Sequence, residues 1–206
     1  HRKLLKVTGV SMIMELVDAT TLDQQLPKNH VKAVEIFLQV ARGLAHIHTR
    51  GFVHSDIKPN NILIDENGKV KIIDLGQACA IGTVKKRIQG TPGYMAPEQA
   101  HRNKITQRTD IYNLGAMMYW TLVGEVIPTS MPPKGASDSL VNSAVSIGNL
   151  ALPTPPHERN PRIHPLLSKQ IVDCVQPLPE QRPESMDIVV NRLELIRDVM
   201  EEQTEK

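Results

Sequence analysis

The sequence predicts an α+β fold that is predominantly α, and three observations carry that prediction. Apolar residues recur every three to four positions over residues 30–48 and line one face of 185–200, the period of helices with one buried face, and 109–123 and 166–175 read as further helices, the first of them apolar. The β-type runs are short and lie before residue 74, two of them around the hairpin signal Asn67-Gly68. Glycine and proline interrupt the stretches 74–98 and 128–165, which leaves them long loops with short helical pieces at most.

Each element has a local reason. Leu4, Leu5 and Val7 precede a turn at Thr8-Gly9, and Met12-Ile13-Met14-Glu15-Leu16-Val17 reads as a strand buried on both faces. A looser segment with Pro27 as a breaker leads to the first helix, 30–48, which has Asn29 as its N-cap and Gly51 as its stop. Its stripe is Val31, Val34, Leu38, Ala41 and Ala45, widened by Phe37 and Leu44. Ile62-Leu63-Ile64 and Val70-Lys71-Ile72-Ile73 answer each other across Asn67-Gly68. Residues 109–123 form an apolar helix broken at Gly124. The last helix lines up Met186, Val189, Val190, Leu193 and Ile196, and residues 201–206 form a frayed, charged tail.

Composition excludes several function classes. With 206 residues the chain can bury a sizeable core, built from aliphatic side chains because aromatics are only 3%. Lys and Arg number 24 against 22 Asp and Glu, a balance that argues against binding nucleic acid. Two cysteines, Cys79 and Cys174, are too few for a disulfide framework and point to a reduced, cytoplasmic setting. No apolar run is long enough to span a bilayer, and charges among the first residues are unlike a signal peptide.

The chemistry concentrates in the loop His54–Asn61 and at Asp74. Asp56 and Asn61 flank Lys58, and a hairpin returning the chain to its starting level brings Asp74 back beside Asn61. One amide and one carboxylate oxygen then converge, a donor set that suits Mg²⁺. Asp56 is placed to orient a hydroxyl and accept its proton, and Lys58 to neutralise a transferring phosphoryl group.

At this point the sequence resembles the eukaryotic-type (Hanks-type) serine/threonine protein kinases. His54-Ser55-Asp56 with Asn61 is similar to their catalytic loop, Asp74-Leu75-Gly76 to their metal triplet, and Ala96-Pro97-Glu98 to the end of their activation segment. Lys58 and Gly90-Thr91-Pro92-Gly93-Tyr94 resemble the serine/threonine branch. Asp110 to Gly115 looks like the central helix, and Met14 to Val17 like the adenine-binding hinge. Gly115 to Trp120 with Ile127-Pro128-Thr129 look like bacterial members. The resemblance implies ATP and Mg²⁺ as cofactors and a protein Ser/Thr hydroxyl as acceptor. It implies Asp56 as base, Lys58 on the γ-phosphate, Thr91 bridging the two, and Asn61 and Asp74 on the metal. It also implies that the backbone of Glu15 and Val17 holds adenine above Leu63. Asp110 then braces the catalytic loop, and Glu98 pairs with Arg182. Residues 1–18 correspond to a remnant of the N-terminal lobe and 19–200 to the C-terminal lobe. The glycine-rich loop, strand lysine and helix glutamate of a complete member have no counterpart, so the chain alone is expected to have negligible activity.

Other readings compete. A pseudokinase or interaction module, and a small-molecule phosphotransferase, share parts of the pattern; Thr91 and the Glu98/Arg182 pair favour a protein acceptor. His46 and His48 read as helix C-terminal histidines and His54 as a structural one, not as a metal cluster. Lys85-Lys86-Arg87 reads as a solvated loop, Met117 and Met118 as core, Cys79 as an ordinary thiol and Thr83 as a candidate phosphorylation site. Three positions depart from the family pattern. Ser55 replaces an arginine that commonly pairs with a phosphorylated activation loop. Leu75 replaces phenylalanine and should pack in its place. Asn60 replaces a glutamate common in kinases that prefer basic substrates.

Overall fold

The structure, a computed structural model, describes residues 15–128 and 150–204. The expected strand over 4–7 and most of the 12–17 run lie outside them. Its described end, Glu15 to Val17, is irregular and not a strand, with Leu16 95% exposed. An apolar run becomes a strand only with a partner ladder, and among the described residues none lies beside it.

The β-structure is small. Strands β1 (Thr20–Thr21), β3 (Ile62–Ile64) and β4 (Val70–Ile72) form one antiparallel sheet in the order β1-β3-β4. The β3–β4 register pairs Ile62 with Ile72, Leu63 with Lys71 and Ile64 with Val70. Gly68 takes φ +77 in the turn between them, a left-handed conformation glycine adopts at no steric cost. A second ladder joins β2 (Phe52–Val53) to β5 (Cys79–Ala80).

Helices make the body: α1 (His30–Thr49), α2 (Pro97–Ala100), α3 (Gln107–Val123), α4 (Pro156–Arg159), α5 (Pro165–Cys174) and α6 (Met186–Thr204). Asn29 caps α1 as read, its Oδ1 accepting from Lys32 N–H at 2.8 Å. Gly51 follows with φ +81 and donates to His48 O. α1, α3, α5 and α6 enclose one core whose centre is Phe37, Leu44, Leu114, Met117, Leu167 and Leu193. The expected frayed tail is instead helical as far as Thr204, because the apolar stripe of α6 runs on to buried Met200. Cys174 is buried there, and burial pushes its thiol up to about 12, which keeps it protonated and inert.

Gly115 sets the distance between α3 and α5. A Cβ there would lie 2.6 Å from Cys174 Cβ and 2.7 Å from Val175 Cγ1. Gly115→Val is therefore expected to lower stability by about 2 kcal/mol through overpacking, despite the better helix propensity. Urea unfolding measures it, and an unchanged midpoint would refute the close-approach argument.

Candidate active site

The loop after β2 is held from behind by α3. Asp110, fully buried in the first turn of that helix, accepts from His54 N–H at 2.9 Å and from Ser55 N–H at 2.7 Å. His48 Nε2 donates to the same carboxylate at 2.8 Å. A carboxylate accepting three such bonds fixes two consecutive peptide planes. This gives Asp110 the bracing geometry expected of it, and makes His48 more than a helix C-terminal histidine. His54 is structural, as read. Its Nδ1 faces Asp56 N–H at 3.3 Å and its Nε2 faces Ile73 O at 3.2 Å. An N–H can only donate and a carbonyl only accept, so the proton sits on Nε2 and the ring is neutral.

Asp56, 8% exposed, closes a triangle with Lys58, its neighbour in the loop, and Thr91, which is distant in sequence. Lys58 Nζ donates to Asp56 Oδ2 at 3.0 Å and to Thr91 Oγ1 at 2.9 Å, while Thr91 Oγ1 donates to Asp56 Oδ1 at 2.9 Å. Thr91 is held by its own turn, its carbonyl accepting from Tyr94 and Met95 N–H. One ammonium bond and one hydroxyl bond orient the carboxylate, and the third Lys58 N–H has no protein acceptor among the described residues.

The hairpin returns as the sequence implies. Ile73 N–H bonds to Asn61 O at 2.9 Å, so Asp74 emerges beside Asn61. Asn61 Nδ2 donates to Asp56 O at 2.8 Å, which turns its oxygen the other way. Asp74 takes φ +63 and accepts Gly76 N–H on Oδ1, so its Oδ2 stays unbonded among the described residues. Two hard oxygen donors with hydrogen-bonded neighbours fit a magnesium ion, which takes few protein ligands. Leu75 corrects an expectation. It is 61% exposed rather than packed, because the short 3-10 turn Leu75–Gln77 that Asp74 caps carries it outward.

Glu15 and Val17 lie on the segment leading into β1. Lys71 Nζ pairs with Glu15 Oε1, which lowers the Glu15 carboxyl below its ordinary value and ties the segment to β4. Leu63 is paired with Lys71 across β3–β4 and so shares its sheet face, the face from which Lys71 reaches Glu15.

Behind the site, Arg182 Nη1 and Nη2 grip Glu98 Oε1 and Oε2 at 2.7 and 2.9 Å, as the sequence suggested. Residues that the sequence did not single out complete the framework. Gln99 is buried; its Nε2 donates to Ser55 O at 2.8 Å, and its Oε1 accepts from Ala96 N–H and from Asn113 Nδ2. Asn113 Nδ2 also donates to Tyr94 O. Gln99 has a local role as the N3 residue bonding the Ala96 N–H, but its bond to Ser55 and that of Asn113 to Tyr94 have no local signature, since those partners lie 44 and 19 residues away. The expected solvated run Lys85-Lys86-Arg87 is solvated only at Lys86 and Arg87. Lys85 is half-buried and donates to Ser55 Oγ and Gln77 O. Burial pushes its ammonium pKa down, and Cys79, Asp56 and Asp110 pull it back up.

Among the described residues no helix is long and apolar enough to cross a membrane. The family model for the protein kinase domain matches residues 5–193. The chain is 30% identical over 200 residues to a probable serine/threonine-protein kinase of Clostridium acetobutylicum, covering 91% of this chain and 28% of that protein. It is 32% identical over 182 residues to serine/threonine-protein kinase PknB of Mycolicibacterium smegmatis, covering 83% of this chain and 28% of that protein. It is 37% identical over 123 residues to serine/threonine-protein kinase PrkC of Bacillus subtilis, covering 56% of this chain and 19% of that protein. The chain thus spans little more than a quarter of the length of the first two relatives. Protein kinases generally use ATP and Mg²⁺. With a family model over nearly its whole length and the Asp56, Lys58 and Thr91 triangle at its centre, the chain belongs to the protein kinase domain family, of the serine/threonine type.

Proposed function

We propose that the protein moves the γ-phosphoryl group of ATP to a serine or threonine hydroxyl of a protein, in a cytoplasmic setting. The triangle of Asp56, Lys58 and Thr91 is the observation that carries this reading. Asp56 orients the acceptor hydroxyl and takes its proton as the new P–O bond forms and the bond from the γ-phosphorus to the bridging oxygen breaks, releasing ADP. Lys58 balances charge on the phosphoryl group in flight. Thr91 fixes the Asp56 carboxylate and ties the acceptor-side loop to it. Asn61 and Asp74 would hold Mg²⁺ through their unbonded oxygens, and the bound ion would neutralise charge on the phosphates. The backbone of Glu15 and Val17 would receive adenine, with Leu63 beneath the ring. In this assignment residues 15–18 belong to the nucleotide hinge and 19–200 to the lobe that carries the chemistry.

The test is phosphoryl transfer from γ-labelled ATP by the full-length protein, offered Ser/Thr peptides, Tyr peptides and small hydroxyl or amine acceptors. Label is expected on Ser/Thr peptides only, and chelating Mg²⁺ should abolish it. Transfer to small acceptors alone, or ATP binding with no transfer to any acceptor, would overturn the assignment.

A further inference from the structure

Lys85 is held where a lysine does not sit by default. Lysine heads stay in water unless something repays their desolvation, and neighbouring Lys86 is solvated. The Lys85 ammonium instead donates to Ser55 Oγ at 2.8 Å and to Gln77 O at 2.6 Å. Ser55 Oγ donates in turn to Gln77 O at 2.7 Å. This second triangle joins three segments: the residue before Asp56, the turn after Asp74, and the loop that leads to Thr91.

Ser55 is an unusual acceptor. It is fully buried with φ +61, a left-handed backbone that a non-glycine residue adopts only when its surroundings impose it. Asp110 holds its N–H, Gln99 holds its carbonyl, and Lys85 and Gln77 hold its hydroxyl. The direction in which the chain enters Asp56 is set by these contacts. Three come from the folded body or the metal-side turn, and only Lys85 comes from the long loop ahead of Thr91.

We propose that Lys85 is a positioning residue for phosphoryl transfer, its ammonium docking the loop ahead of Thr91 onto Ser55 and Gln77 with groups that the polypeptide itself supplies. The kinetic part rests on the function proposed above; the docking does not.

Lys85→Met, Lys85→Arg and Lys86→Met separate the two in a hydrogen-exchange experiment on the 206-residue chain. The reporters are the bonded amides of Ile81, Gly82, Thr83 and Ile105, which pair with Gly51, Ile105, Ala80 and Thr83 carbonyls. Lys85→Met is expected to speed their exchange about ten-fold while α1 and α3 are unchanged. Lys86→Met should match wild type, and Lys85→Arg should restore part of the protection. Lys85→Gln, which keeps a donor without the charge, replaces the Met variant if that does not fold. In the full-length protein, Lys85→Met should raise KM for a peptide acceptor about five-fold and leave KM for ATP within two-fold. Unchanged exchange in the loop would overturn the docking, and faster exchange with an unchanged peptide KM would overturn the positioning role. If wild type itself transfers no phosphate, the proposed function fails while the exchange data still decide the docking.

Discussion

In the full-length protein, Asp56→Asn is expected to slow phosphoryl transfer by about 10³-fold, near the middle of the range for losing a general base, and to leave the fold intact. That factor corresponds to about 4 kcal/mol of transition-state stabilisation. The shape of the site explains why chemistry is lost without collapse. An asparagine oxygen can accept from Lys58 where Oδ2 does now, while its amide donates to Thr91, whose oxygen still has a free lone pair. The triangle therefore survives with altered polarity, but it no longer contains a group able to take a proton at neutral pH. Single-turnover labelling measures the rate, and a melting temperature within about 2 °C of wild type establishes that folding is unaffected. A rate within ten-fold of wild type would remove Asp56 from the mechanism.

Arg182→Met is expected to be the most destabilising single change, at about 3–5 kcal/mol. Arg182 uses all its donors: Nε on Gln176 O, Nη1 on Glu98 and Arg108 O, and Nη2 on Glu98 and Pro177 O. The guanidinium also stacks 4.9 Å from the Tyr112 ring centroid. Methionine fills the volume but strands a buried carboxylate and the carbonyls of Gln176 and Pro177, with Thr109 the side chain left to bond Glu98 among the described residues. At roughly 2–4 °C per kcal/mol for a domain of this size, the melting temperature should fall by about 10 °C. Pairing it with Glu98→Leu should recover part of the loss, because the orphaned charge is then gone. A loss under about 1 kcal/mol would refute the structural role of the pair.

The sequence was most readable where the determinants are local. Asn29, Gly51 and the stripe from Val34 to Leu44 define α1 without reference to anything distant, and Asn67-Gly68 defines the hairpin that carries Asp74 back to Asn61. The two-residue strands β1 and β5 were illegible, because alternation cannot be seen over two positions and their pairing depends on partners far along the chain. The same limit separates Asp56, Lys58 and Asn61, clustered in one loop, from Gln99, Asn113 and Lys85. Those three are ordinary polar residues in sequence, and their roles arise from contacts made across the fold. Lys85 departs from its expected solvation for a related reason: charge runs are solvated by default, and the buried hydroxyl of Ser55 with the carbonyl of Gln77 gives this one amine another place to go.

The grip of Asp110 on His54 and Ser55 has a consequence for how the protein fails on heating. The loop that carries Asp56 is moored to the first turn of a helix sealed inside the core, so it has no separate melting step. To displace Asp56, α3 must open, and opening α3 dismantles the domain. The placement of Asp56 and cooperative folding are in this respect expected to be a single transition, lost at one temperature.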